Sequence, residues 1–80
     1  MEPQAVEQLI STGLPDAEVK VSGDGSHFDA MVVSAAFTGK SPVERQRMVM
    51  ATVRPYLDSG ELHALSIKAM TPKQGSGGST

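Results

Sequence analysis

The strongest constraint on this chain is a glycine-rich segment at residues 22–26, Ser-Gly-Asp-Gly-Ser, which separates two stretches of alternating apolar residues. An Asp-Gly pair between such stretches is typical of the tight turn of a β-hairpin. The apolar positions that alternate before and after the turn are Val19, Val21, Phe28, Ala30 and Val32. The sequence therefore predicts two antiparallel strands, the first beginning at Ala17 and the second covering about residues 27–36.

Two segments with helical periodicity flank the hairpin. The first is predicted over residues 3–12, with Pro3 in its first turn and Gly13 at its end. The second is predicted to begin at Ser41, because the sequence Ser-Pro-x-Glu is typical of a capping box with proline at the first helical position. Its predicted apolar stripe consists of Val43, Met50, Val53 and Leu57, widened by Val49 and Tyr56. Pro55 is expected to interrupt or kink this helix near its last turn, and Gly60 to end it.

Alternation returns at residues 62–69, which predicts a third strand with His63, Leu65 and Ile67 on one face. The predicted order is α-β-β-α-β, or the same order with the second helix divided in two. A sheet of three strands with helices packed on one face is the layered arrangement that such an order allows. The sequence thus predicts a small α+β domain.

Length and composition limit the classes of function. The 80 residues form at most one domain, predicted over residues 1–72, followed by a flexible Gly/Ser-rich tail at residues 73–80. The chain has no cysteine, which excludes disulfides and thiolate ligands of its own and is compatible with the reducing cytoplasm. It has no apolar run of about 18 residues, so no membrane span is expected. Its net charge of −2 gives no general attraction to nucleic acid.

The polar motifs give no support for an enzyme. Residues 37–41, Phe-Thr-Gly-Lys-Ser, resemble the end of a phosphate-binding P-loop, but the position that requires the first glycine is Ser34. No serine lies in a recognisable nucleophile motif with a histidine, and the carboxylates fall at turns or on exposed strand faces. We therefore expect no catalytic residues.

Two histidines and a group of basic residues are the candidate functional residues. His27 opens the second predicted strand and His63 the third, so both imidazoles could ligate a metal if a partner supplied the remaining ligands. From spacing alone, a half-exposed hairpin histidine and a satisfied histidine at the core edge are favoured over a metal site. Lys40, Arg45 and Arg47, together with Arg54, are expected to form a basic helical face. Such a face is either simply solvated or binds nucleic acid or an acidic partner.

Several motifs, in order, resemble the BolA family over about residues 6–72. These are Gly-Asp-Gly-Ser-His-Phe at residues 23–28, Phe-Thr-Gly at 37–39, Arg-Gln-Arg-Met-Val at 45–49 and His-Ala-Leu-Ser-Ile-Lys-Ala at 63–69, with Thr-Pro at 71–72. The first and fourth look most like the bacterial IbaG branch. The resemblance implies an α-β-β-α-α-β fold similar to a class II KH domain.

The resemblance also implies a function. It implies a partnership with a monothiol glutaredoxin, in which a [2Fe-2S] cluster is shared between glutaredoxin, glutathione and the BolA-like chain. His63 would be the family's histidine ligand at the start of the last strand, and His27 a second ligand from the loop between the first two strands. The isolated chain is expected to bind no cluster and to be a monomer or weak homodimer. The family is also associated with transcription regulation and stress responses, and the alternative function is DNA binding through the helix of Arg45 and Arg47. The Arg-Gln-Arg sequence, where many relatives have Arg-His-Arg, weakens that alternative.

Overall fold

The computed structural model describes residues 1–24 and 26–72, and it has the α+β architecture that the sequence predicts. The elements are α1 (Pro3–Gly13), β1 (Glu18–Gly23), β2 (His27–Val33), a single 3-10 turn (Ala35–Phe37), α2 (Pro42–Ser59) and β3 (Ala64–Met70). No second helix lies between α2 and β3 in this part of the chain, so the undivided helix is the correct alternative. Gly25 of the predicted turn and the predicted tail at residues 73–80 lie outside the described residues.

The three strands form one sheet in the order β1-β2-β3, with β2 in the centre. β1 pairs with β2 antiparallel, as predicted for the hairpin, and β3 pairs with β2 parallel. The alternation along β2 divides its residues cleanly, because Phe28, Ala30 and Val32 are buried while the residues between them are exposed or half-buried. Both helices pack their apolar side chains on this inner face, and within the described residues the outer face carries no helix. The buried core consists of Val6, Ile10, Leu14, Phe28, Ala30, Val32, Phe37, Val49, Val53 and Leu62.

The start and end of α2 follow from local chemistry. The Glu44 N–H donates to the Ser41 hydroxyl at 3.2 Å, and the Ser41 N–H donates to the Glu44 carboxylate at 2.9 Å, which confirms the predicted capping box. The backbone hydrogen bond from Ser41 lowers the pKa of Glu44 from its usual value. Gly60 ends the helix in the left-handed conformation, with φ of 83°. The helix continues through Pro55 to Ser59, so the expected interruption is wrong.

The face of α2 that packs on the sheet differs from the predicted stripe. Val49 and Val53 are fully buried, whereas Val43 is 58% exposed and Met50 and Leu57 are only half-buried. Apolar residues occur on two sides of this helix, and periodicity alone does not say which side meets the core. Val49, which the prediction placed at the margin of the stripe, therefore lies at the centre of the packed face, and the exposed Val43 lies outside it.

Two strand boundaries also differ from the prediction. β2 stops at Val33 because the buried Ser34 uses its hydroxyl to accept a hydrogen bond from the Ala36 N–H at 3.1 Å, which begins the 3-10 turn. The same hydroxyl donates to Asp16 at 3.3 Å and so joins the turn to the segment before β1. β3 begins at Ala64 rather than at Leu62.

A helix side chain contacts each outer strand of the sheet at its middle. The Val21 N–H on β1 donates to the Glu7 carboxylate at 3.4 Å. On β3, the Ile67 carbonyl accepts a hydrogen bond from the Gln46 side-chain amide at 2.8 Å. These contacts satisfy one backbone group on each edge that no neighbouring strand reaches. Neither described helix is both long and apolar enough to cross a lipid bilayer.

Candidate functional site

The two histidines lie at the same edge of the sheet, which is the end where β2 and β3 both begin. β2 and β3 run parallel with His27 opposite Ala64, so His63 immediately precedes the residue that pairs with His27. From the spacing of paired strands and of consecutive Cα atoms, the two histidine Cα atoms are within about 9 Å of each other. Both residues are exposed. The fold therefore brings together the two residues that the sequence selected as candidate ligands.

A buried neighbour fixes the position of His63. Leu62 is 1% exposed, and its N–H donates to the Tyr56 carbonyl at 3.0 Å, which holds the short connection between α2 and β3 against the core. The chain then turns outward at His63, before β3 begins. His63 precedes the strand and is exposed, whereas Leu65 and Ile67, which were predicted on the same face, are half-buried. Within residues 1–24 and 26–72, no hydrogen bond or ion pair involves the His63 side chain.

The His27 ring is engaged on the uncovered face of the sheet. Its Nε2 atom lies 3.3 Å from the Ser66 hydroxyl and 3.6 Å from the Asp29 carboxylate. Which of Nε2 and Ser66 donates depends on the ring tautomer. Coordination through Nε2 would require the loss of these contacts, whereas coordination through Nδ1 would leave them in place. His27 is therefore a more restrained candidate ligand than His63.

Asp24 organises the backbone that leads into His27. Its Oδ1 atom accepts hydrogen bonds from the His27 N–H at 3.1 Å, the Ser26 N–H at 3.1 Å and the Ser26 hydroxyl at 3.0 Å. The hydrogen bond from His27, followed by those from Ser26, lowers the pKa of Asp24 below its usual value. The ionised carboxylate thus stabilises the conformation in which His27 enters β2.

The described residues do not form a complete metal site. Among the described residues, no three His, Cys, Asp or Glu side chains are grouped so that they could hold a metal ion. The chain also has no cysteine. Two exposed imidazoles with no thiolate fit a shared site, in which a second molecule brings the sulfur ligands, and they do not fit a closed site within one chain.

The predicted basic residues do not form one surface. The Arg45 guanidinium donates through Nε to the Lys40 carbonyl at 3.0 Å, so these two residues are together. Arg47 is two residues further along α2, about 200° around the helix axis from Arg45. It lines an open groove that also includes Arg54. The expected basic face is therefore divided between two sides of the helix.

Sequence reasoning did not find the polar neighbours of His27. Ser66 and Asp29 contact its ring because they are paired across β2 and β3, two residues further along each strand. The alternation shows that all three residues project from the same face of the sheet, but only the register brings them into contact. Asp24 could have been recognised, because aspartate before a turn commonly accepts hydrogen bonds from backbone N–H groups two and three residues on.

Comparison with known proteins identifies the family. The family model described as BolA-like protein matches residues 9–74. The chain is 39% identical over 74 residues to acid stress protein IbaG of Escherichia coli K12, with 92% of this chain and 88% of that protein covered. It is 42% identical over 74 residues to an uncharacterized protein of the rpoN-murA intergenic region of Acinetobacter guillouiae, with 92% and 89% covered. The structure of a BolA protein homologue from Coxiella burnetii superimposes with a TM-score of 0.86 at 34% identity, covering 95% of this chain and 97% of that one. The chain belongs to the BolA-like protein family, which confirms the predicted resemblance and fold.

Proposed function

We propose that this chain is an adaptor that shares a [2Fe-2S] cluster with a monothiol glutaredoxin, with His63 as its principal ligand and His27 as the second. The observation that carries the proposal is the position of two exposed imidazoles at one edge of the sheet, in a chain without any thiolate of its own. A partner that carries sulfur ligands would complete this donor set. The family membership supports the same function.

The two histidines would contribute differently. The His63 ring projects into solvent beside a backbone that Leu62 holds in place, so it is available to a cluster presented by another molecule. His27 is restrained by Ser66 and Asp29 and offers a second ligand from a fixed direction. A cluster iron with imidazole in place of thiolate has a raised reduction potential, which suits a regulatory or trafficking role.

Acid should weaken the shared site. Imidazole binds a metal only in its neutral form, and histidine side chains commonly become protonated at pH values near 6. We therefore expect cluster sharing to weaken below about pH 6. This response would connect the proposed function with the acid stress named for the Escherichia coli relative.

The test is to mix the purified chain with cluster-loaded monothiol glutaredoxin and glutathione under anaerobic conditions. The visible absorption and circular dichroism spectra should change with the wild type, be unchanged with His63→Ala and change partially with His27→Ala. Lys40→Ala is a suitable control because it lies outside the histidine edge and should behave as the wild type. An unaltered wild-type spectrum, or a full change with His63→Ala, would contradict the proposal, as would a spectrum that does not respond between pH 8 and about pH 5.5.

No observation favours nucleic-acid binding as a second function. The alternative depends on Lys40, Arg45 and Arg47 acting together, and Arg47 lies on a different side of α2 from the other two. It predicts salt-dependent binding that falls when these residues are replaced. Lys40→Ala, Arg45→Ala and Arg47→Ala variants test that prediction.

A further inference from the structure

The outer side of α2 carries an apolar column that the core uses only in part, because Leu57 packs against the core and Val43 and Met50 do not. Val43, Met50 and Leu57 recur every seven residues and therefore lie on nearly the same side of the helix, over about 21 Å. Val43 is 58% exposed, and it and Met31 are the large apolar side chains that are exposed in the described part of the chain. The column lines an open groove of about 510 Å³. Together, these features mark the surface as a candidate docking site.

Two positive charges flank this column. Arg47 and Arg54 line the groove and are also seven residues apart, so their guanidinium groups are on the same side of the helix. Neither forms an ion pair with a carboxylate in residues 1–24 and 26–72. Asp58 is the one acidic residue in the lining. A molecule that covers the apolar column would thus approach two cations that form no close ion pair, although Arg47 interacts electrostatically with Glu44.

The groove has a fixed rim on the side of the sheet. Gln46 lines the groove and donates to the Ile67 carbonyl on the edge of β3 at 2.8 Å. This hydrogen bond joins α2 to the sheet beside the apolar column. Because the Gln46 side chain is already hydrogen-bonded, it loses little conformational entropy when the groove binds a partner.

The charges favour an acidic partner over a second copy of the chain. Antiparallel packing of two α2 helices about Met50 would bring Arg47 of one copy against Arg54 of the other. This arrangement places like charges together, which is unfavourable across an interface.

The lining also favours a protein over nucleic acid. The residues in the groove are aliphatic or polar, and none is aromatic. Single-stranded nucleic acid usually binds by stacking its bases on aromatic rings. Leucine or phenylalanine side chains on an amphipathic helix, in contrast, fit an aliphatic groove of this length.

We propose that the outer face of α2 binds an acidic amphipathic helix of a partner protein. Its apolar side chains contact Val43, Met50 and Leu57, and its carboxylates pair with Arg47 and Arg54. This inference is independent of the histidine edge and of the cluster. Binding here would leave His63 unaltered.

The experiment uses the full chain and a synthetic probe. A labelled peptide of about 15 residues, with leucine at every third or fourth position and glutamate on its flanks, is titrated and followed by fluorescence anisotropy and by NMR of the ¹⁵N-labelled chain. The amide signals of Met50 and Leu57 should shift. Replacing both arginines, as Arg47→Glu with Arg54→Glu, should weaken binding about tenfold. Val43→Gln should weaken it with no change of charge.

The matched control is Lys20→Glu with Lys68→Glu, which makes the same change of net charge on the uncovered face of the sheet. This variant should keep the wild-type affinity. The proposal is overturned if the peptide causes no shifts on α2, or if the lysine and arginine variants weaken binding equally. It is also overturned if a single-stranded oligonucleotide gives the same shifts more strongly, or if sedimentation shows a wild-type dimer that the arginine variant abolishes.

Discussion

His63 and His27 occupy neighbouring strand starts, but different forces hold them in place. The backbone at His63 is fixed by burial of the preceding Leu62, and the ring itself has no described partner. The backbone at His27 is fixed by hydrogen bonds to the Asp24 carboxylate, and its ring contacts Ser66 and the Asp29 carboxylate. The buried Leu62 is thus the apolar anchor of His63, and the Asp24 carboxylate is the polar anchor of His27.

The two candidate ligands should therefore respond differently to a change of pH. The burial of Leu62 involves no titrating group, so the position of His63 should not depend on pH. The hydrogen bonds at Asp24 depend on its negative charge, so the turn before His27 weakens in strong acid. This edge should therefore keep His63 in position when the turn before His27 weakens.

The largest expected effect is loss of the apolar anchor. Leu62→Ala should lower the free energy of unfolding by about 2–4 kcal/mol, because it removes a fully buried side chain and leaves a cavity. Chemical denaturation measures this change, and Leu57→Ala, at a half-buried position on α2, should cost clearly less. Amide hydrogen exchange at residue 62, whose N–H donates to the Tyr56 carbonyl, should become faster while that at His27 changes little. Equal acceleration at both positions would show that the two segments are not independently anchored.

A smaller effect is expected from the polar anchor, and it should depend on pH. Hydrogen bonds from His27 and Ser26 lower the pKa of Asp24 from its usual 3.8. The folded state therefore gains stability from the ionised carboxylate above that pH and loses it as the pH falls through the lower folded value. Asp24→Asn should be less stable than the wild type at neutral pH, and the difference should shrink in acid.

Denaturation midpoints at about pH 7, 5 and 3 measure this difference. Asp58→Asn removes the same charge away from the turn and serves as the control, with no comparable pH dependence expected. A difference between wild type and Asp24→Asn that is constant over this range would disprove the polar anchor.

The smallest effect concerns the His27 ring. Ser66→Ala removes one contact to Nε2 and should change the free energy of unfolding by less than about 1 kcal/mol, because the contact is exposed. The ¹⁵N chemical shifts of the His27 ring should change and those of His63 should not. Ser22→Ala, opposite Asp29 on β1, is the matched control. If the His27 shifts were unchanged with Ser66→Ala, the ring would not be engaged in solution.

Much of this fold could be predicted because the local signals agree with one another. The capping box at Ser41, the glycine at residue 60 and the alternation along β2 each specify an element without information from distant residues. His27 was also placed correctly at the first residue of β2, whereas His63 lies one residue before β3. Their closeness needed the parallel pairing of β2 and β3, a contact between segments far apart in sequence.

Two features could not be predicted, and both depend on tertiary packing. The second helix has apolar residues on two sides, so the burial of Val49 and Val53 rather than Val43 is decided by the sheet on which the helix packs. The end of β2 is decided by Ser34, whose hydroxyl bonds to Ala36 and to the distant Asp16. The contact between His27 and Ser66 likewise exists only once the strand register is fixed.

The side chains of Glu7 and Gln46 have a consequence for how the molecule behaves at high concentration. A sheet with bare outer strands can act as a template for further chains and grow into fibrils. Here, a carboxylate on β1 and an amide on β3 each occupy a backbone group that an incoming chain would need. Lateral growth in either direction would first have to displace a helix side chain, so these two contacts oppose amyloid-like polymerisation.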